Sequence, residues 1–174
     1  MTVKRLTLAA IFTAIALAVY VIEAMIPLPI GLPGIRLGLA NTVTLIVLFM
    51  PKDGIIKTKI TGADALIILL CRILLGAFIT GRAVALAYSL TGGLFALGAQ
   101  VITKRFVTPK QIWVCGALGA VFHNIGQILA AIVITGTPSI AAYLPILIVA
   151  GVVTGVITGV AAGFTVARFS RNPA

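Results

Sequence analysis

Long apolar runs without charge dominate this chain, and they leave few folds open. A bilayer-crossing helix takes about 20 predominantly apolar residues. Six such runs can be traced here. Of the 174 residues, 61% are hydrophobic and 9% are charged. A soluble domain carries about 45–50% apolar and about 25% charged residues, so this chain has too little charge to coat a water-facing surface. The apolar runs exclude disorder. Two cysteines, Cys71 and Cys115, are too few for a secreted disulfide scaffold. Both lie in apolar runs and are expected to be buried free thiols. Six spans use about 120 residues. The remainder is short connections, with no room for a separate globular unit that would carry catalysis or ATP hydrolysis. The expectation is an all-α integral membrane protein, with residues 1–174 forming a single six-helix domain.

The spans are expected at about 6–26, 35–50, 64–80, 83–103, 112–134 and 140–167. Lys4 and Arg5 precede the first, as they would precede a cleaved signal peptide. The run is long and five more follow it, which favours a retained helix. Residues 27–34 form a Pro/Gly-rich connection that no regular helix tolerates. The sequence holds 13 Lys plus Arg against 3 Asp plus Glu. That balance resembles a nucleic-acid binder, but the basic residues sit at the ends of apolar runs, where topology signals sit. With six spans, one side collects Lys4, Arg5, Lys52, Lys57, Lys59, Lys104, Arg105, Lys110, Arg168 and Arg171. Only Arg36, Arg72 and Arg82 fall elsewhere. The positive-inside rule then places both termini in the cytoplasm, in a multi-pass protein of the cytoplasmic membrane. Its bulk partner is the lipid bilayer, and no nucleic acid is expected.

Two rows of small residues stand out. Gly151, Gly155, Gly159 and Gly163 recur every four residues in the sixth span, a pattern that lets another backbone approach closely. Packing within the chain is the expectation there. Ala10, Ala14 and Ala18 share one face of the first span. They serve either internal packing or docking to another protein's helices.

Polar residues within spans are expensive, a mid-membrane charge costing about 2.5–3.5 kcal/mol on insertion scales. Arg72 lies in the middle of the third span. Arg36, Arg82 and Glu23 lie toward the outer side. Asp64 begins the third span roughly 12 Å from Arg72 along a helix, too far to pair with it. Guanidinium groups bind phosphate and carboxylate bidentately, so an anionic small-molecule ligand is expected. Arg36 and Arg82 equally suit contact with lipid phosphate. His123 and Gln127 share a face of the fifth span with Asn124 beside them. They form either a polar cavity wall or interhelical hydrogen bonds. Asn41, Thr42, Ser89 and Thr91 are further candidates for such a cavity. One histidine and no carboxylate cluster argue against a metal. No Asp-Asp-x-x-Asp run, Walker loop or Ser/His/Asp set appears, so neither a catalytic residue nor a cofactor is assigned.

Four stretches carry a resemblance: Pro33-Gly34-Ile35-Arg36-Leu37-Gly38-Leu39-Ala40-Asn41, Cys71-Arg72-Ile73-Leu74-Leu75-Gly76, Ser89-Leu90-Thr91-Gly92-Gly93 and His123-Asn124-Ile125-Gly126-Gln127. Together they resemble the Gx transporter family, also called heptaprenyl diphosphate synthase component I, over most of the chain. The basic 52–61 loop is longer and more charged than that pattern. The family in turn is similar to the substrate-binding S components of energy-coupling factor transporters. This second resemblance implies capture of a small molecule from outside, and docking on a transmembrane coupling protein with two ATPases. It also implies docking through an Ala-xxx-Ala face, matched by Ala10, Ala14 and Ala18, and a loop over the substrate, matched by 27–34. Arg36, Arg72 and Arg82 would hold the anionic group, while Asn41, His123, Asn124 and Gln127 would set hydrogen-bond specificity. The synthase description implies instead a noncatalytic accessory subunit whose partner is a soluble prenyl transferase. The sequence chemistry favours uptake of a small anionic molecule, with accessory prenyl diphosphate synthesis as the alternative.

Overall fold

A computed structural model describes residues 3–25, 37–51, 61–81 and 83–170. They form six α-helices: α1 (Val3–Ala24), α2 (Asn41–Phe49), α3 (Gly62–Thr80), α4 (Ala83–Thr103), α5 (Ile112–Thr135) and α6 (Leu144–Ser170). Single 3₁₀ segments, Pro109–Gln111 and Pro138–Tyr143, lead into α5 and α6. There is no strand among the described residues. Five helical segments are long and apolar enough to cross a membrane: those of α1, α3, α4, α5 and α6.

The second expected span is corrected. A helix was expected over 35–50, but among the described residues it covers only Asn41–Phe49. Its 9 residues rise about 13 Å, less than half of a hydrocarbon core of about 30 Å. The break lies at Gly38, whose φ of +80° belongs to the left-handed region that glycine enters freely. Hydropathy runs straight through Leu37-Gly38-Leu39 and gives no sign of it. The other helices lie close to expectation, although α6 begins at Leu144 because residues 138–143 are 3₁₀.

The hairpins set the arrangement. Gly81, at φ +62°, ends α3 in a left-handed cap and turns the chain into α4. α1 and α3 run parallel, because Arg5 meets Asp64 near their starts while Tyr20 packs on Gly76 further along. α2 is the innermost element and touches all five longer helices. Lys104, at the end of α4, donates from Nζ to the Leu48 carbonyl and lies 5.3 Å from the Phe49 ring, capping α2 with a cation where its dipole is negative. One end of the bundle thus gathers Lys4, Arg5, Lys104, Arg105, Lys110 and Arg168.

α5 and α6 make the closest contact. A Cβ built on Gly155 would lie 2.5 Å from the Gly116 carbonyl oxygen, and one on Gly159 would lie 2.6 Å from the Trp113 Cα. One on Gly151 would meet Asn124 Nδ2 at 2.7 Å. Gly163 breaks the series, with nothing within 4 Å of its would-be Cβ. The alanine row of α1 lies differently. Ala9, Phe12, Ala16 and Tyr20 face the core, whereas Ala10, Ala14 and Ala18 are exposed. Cys115 is buried as expected, but Cys71 is exposed, because the buried face of α3 runs through its neighbour Arg72.

Candidate functional site

Polar side chains meet in the interior where α2, α3 and α5 come together. α3 buries a face of Ala65, Ile68, Leu69, Arg72, Ile73 and Gly76, recurring at three- and four-residue steps. Arg72 lies on that face and is only 3% exposed. Gly76, one turn on, leaves room for the Tyr20 ring of α1. That ring lies 5.7 Å from the Arg72 guanidinium carbon, within cation–π range.

Arg72 Nη2 donates to Asn41 Oδ1 at 3.2 Å. Asn41 Nδ2 lies 3.0 Å from His123 Nδ1. The donor roles follow from chemistry. Guanidinium can only donate, so Asn41 turns its oxygen to Arg72 and its NH₂ to His123. His123 Nδ1 must then accept, which places the ring proton on Nε2 and keeps the imidazole neutral. His123 Nε2 finds no hydrogen-bond partner among the described residues. Two glycines make room for the ring. A Cβ on Gly38 would lie 2.7 Å from His123 Cδ2, and one on Gly92 would lie 2.8 Å from Cε1.

Asn124 looks the other way. Its Nδ2 donates to the Leu147 carbonyl of α6 at 2.6 Å, and its Oδ1 has no hydrogen-bond partner among the described residues. Gln127 is fully buried, one turn from His123 and close to Gly92 of α4. An unmet buried polar atom costs about 1–3 kcal/mol. His123 Nε2 and Asn124 Oδ1 are therefore places where a ligand or a water would bind with gain. Glu23 is also buried and accepts from the Gly38 backbone N–H at 2.5 Å, which fixes the entry to α2. Beside Asn41, Thr42, Gln100 and Thr154 lies a small cavity of about 10 Å³, room for about one water.

Of the expected site residues, the structure brings Asn41, Arg72 and His123 into one chain of contacts, with Gln127 adjoining. Asn124 faces α6 instead. Arg36 and Arg82 lie outside the described residues, as does the 27–34 loop. Ser89 is buried on α4, whereas the Thr91 hydroxyl is spent on the Ala87 carbonyl of its own helix. Sequence reasoning missed Tyr20, Gly38, Thr44 and Gln100. Tyr20 had a usable signal, since it continues the Phe12–Ala16 face of α1 toward Glu23. The Thr44–Gln100 contact, at 3.4 Å across 56 residues, had none.

A second charged group lies at the basic end. Arg5 Nε and Nη2 donate to the two oxygens of Asp64, each at 2.8 Å, and Nη2 also donates to Thr61 Oγ1 at 2.9 Å. The Thr61 backbone N–H donates to Asp64 Oδ2 at 2.6 Å, closing the start of α3. Every oxygen of Asp64 is engaged, so this pair is architecture. Among the described residues there is no group of three or more His, Cys, Asp or Glu able to hold a metal.

Long apolar helices around a buried polar centre define the class: a multi-pass membrane protein with a polar interior. The family model for heptaprenyl diphosphate synthase component I matches residues 12–165, and the chain belongs to that family. Component I is a noncatalytic subunit, so the chain is not catalytic alone. No curated protein and no solved structure matched the chain.

Proposed function

We propose that this protein is the noncatalytic membrane subunit of a prenyl-diphosphate-forming pair, holding an anionic head group in its polar interior while a soluble prenyl transferase carries out the chemistry. The family supports the partner. The observation that carries the ligand is Arg72, buried in the bundle interior and hydrogen-bonded there to a neutral amide. A buried guanidinium is costly in a bilayer and is retained where it meets a ligand or a relay. Arg36 and Arg82 would join Arg72 around the anion, and Asn41, His123, Asn124 and Gln127 would sort ligands by hydrogen bonding. The protein would lie in the cytoplasmic membrane with both termini inside, as one six-helix domain.

A second reading is uptake of a small anionic molecule, energised by a transmembrane coupling protein and two ATPases. The exposed Ala10, Ala14 and Ala18 row favours it, because small residues on an outer helix face suit a partner helix. One experiment separates the two. The full-length protein is purified gently from native membranes and its partners are identified, and binding of farnesyl diphosphate is measured on wild type and Arg72→Gln. Recovery of a prenyl transferase, with farnesyl diphosphate binding lost in Arg72→Gln, supports the first reading. Recovery of ATPases, with no farnesyl diphosphate binding, supports the second. Binding unchanged in a folded Arg72→Gln variant removes the anion site from both.

A further inference from the structure

A groove of about 330 Å³ opens between α5 and α6 at the basic end of the bundle, away from the polar centre. Its walls are Trp113, Val160 and Phe164, its base is Gly159 and Gly163, and Lys110 stands at its mouth. Packing does not account for it. Gly151, Gly155 and Gly159 are each pressed against α5, but a Cβ added at Gly163 would meet nothing within 4 Å. A side chain there would fill the groove without displacing any neighbour. The walls face outward: Phe164 is 75% exposed and Trp113 45%. In a chain built from membrane-crossing helices, that surface meets lipid.

The charge around the mouth points to the occupant. Arg168 does not line the groove, but it follows the lining residue Ala167 and continues the Val160–Phe164 row by one more turn in the last turn of α6. Lys110 and Arg168 are both exposed. The described carboxylate at this end, Asp64, is engaged by Arg5. From Gly159 to Ala167 the groove's α6 wall rises about 12 Å, close to the depth of one leaflet's apolar half, about 15 Å. Tryptophan and basic side chains are the groups that sit at headgroup level.

We propose that this groove binds an anionic phospholipid, with one acyl chain along Gly159 and Gly163 between Trp113 and Phe164, and its phosphate at Lys110 and Arg168. The site is independent of the interior anion site and of either partner above.

Trp113 is the chain's single tryptophan, so its fluorescence reports this groove alone. The full-length protein is reconstituted in phosphatidylcholine vesicles containing either dibromo-phosphatidylglycerol or dibromo-phosphatidylcholine, whose bromines quench indole on contact. Phosphatidylglycerol is expected to quench at a mole fraction about fivefold lower per basic contact than phosphatidylcholine. Lys110→Gln with Arg168→Gln, both surface changes, should erase that preference. Gly163→Leu should lower quenching by both lipids. Equal quenching by the two lipids in wild type overturns the proposal. Relief of phosphatidylglycerol quenching by micromolar farnesyl diphosphate also overturns it, and assigns the groove to a prenyl diphosphate. Preference retained in the double Gln variant overturns the assignment of the phosphate to these two residues.

Discussion

The glycine row of α6 and the alanine row of α1 have the same four-residue spacing and opposite fates. Gly151, Gly155 and Gly159 are buried against α5, whose backbone or Asn124 fills the space where side chains would stand. Ala10, Ala14 and Ala18 face outward, while the next residues round the helix, Ala9 and Ala16, fill the core. Spacing says that a helix can come close on that face. It does not say whether the helix belongs to the same chain. In lipid no hydrophobic force separates the two outcomes, because lipid tails are as apolar as leucine. The decision falls to backbone fit, which α5 and α6 achieve through glycine on both sides, with Gly116 opposite Gly155.

That contrast can be broken in graded steps. Gly155→Leu should have the largest effect, at or above the upper end of about 1–3 kcal/mol for overpacking, since its neighbours are backbone atoms that cannot swing away. Thermal unfolding in detergent should show it as loss of the folded form. Arg5→Ala comes next. It leaves the buried Asp64 without its bidentate partner and should lower the unfolding temperature by the same assay, by less than Gly155→Leu does. Arg5 is partly exposed, so water softens the loss. Gly163→Ala should change stability by less than about 1 kcal/mol, because the added methyl meets nothing. A cost equal to that of Gly155→Ala would show that the glycine contact extends further than the structure gives. Ala14→Leu should leave unfolding within about 0.5 kcal/mol of wild type and yet remove any partner that docks on α1, read by copurification. Loss of fold in Ala14→Leu would mean that the alanine row is internal after all. Asn41→Asp probes the polar centre with the least change in shape. A carboxylate at 41 accepts from both neighbours, so the His123 proton should move from Nε2 to Nδ1. The chain has a single histidine, and its ¹⁵N spectrum would report the switch directly.

The two arginines with described partners show a similar division. Arg5 and Asp64 saturate one another, a closed pair 59 residues apart in sequence. Arg72 instead enters a chain of contacts, through the Asn41 amide to His123, within the bundle interior. The first arrangement closes on itself, whereas the second links α3, α2 and α5. Both arginines were visible in the sequence as charges near or within spans. Helical spacing puts Asp64 out of reach of Arg72, but nothing local in the sequence marks Arg5 as its partner.

What the sequence alone determined is governed by local solvent preference. Run length and hydropathy marked α1, α3, α4, α5 and α6 as bilayer-length helices, because an unpaired backbone in lipid is so costly that twenty apolar residues have little choice. The placement of basic residues at run ends marked which ends lie together, and the hairpins agree. The depth of Arg72, Asn41 and His123 within apolar runs made them candidates. Tertiary structure decided the rest. It ended α2 at nine residues by turning the backbone through a left-handed Gly38. It joined Asn41 to Arg72 across 31 residues and to His123 across 82, while turning Asn124 to α6. It chose which small-residue row to bury. Hydropathy is a property of each residue with its solvent, whereas these outcomes depend on which backbones fit against each other, and fit is a property of pairs.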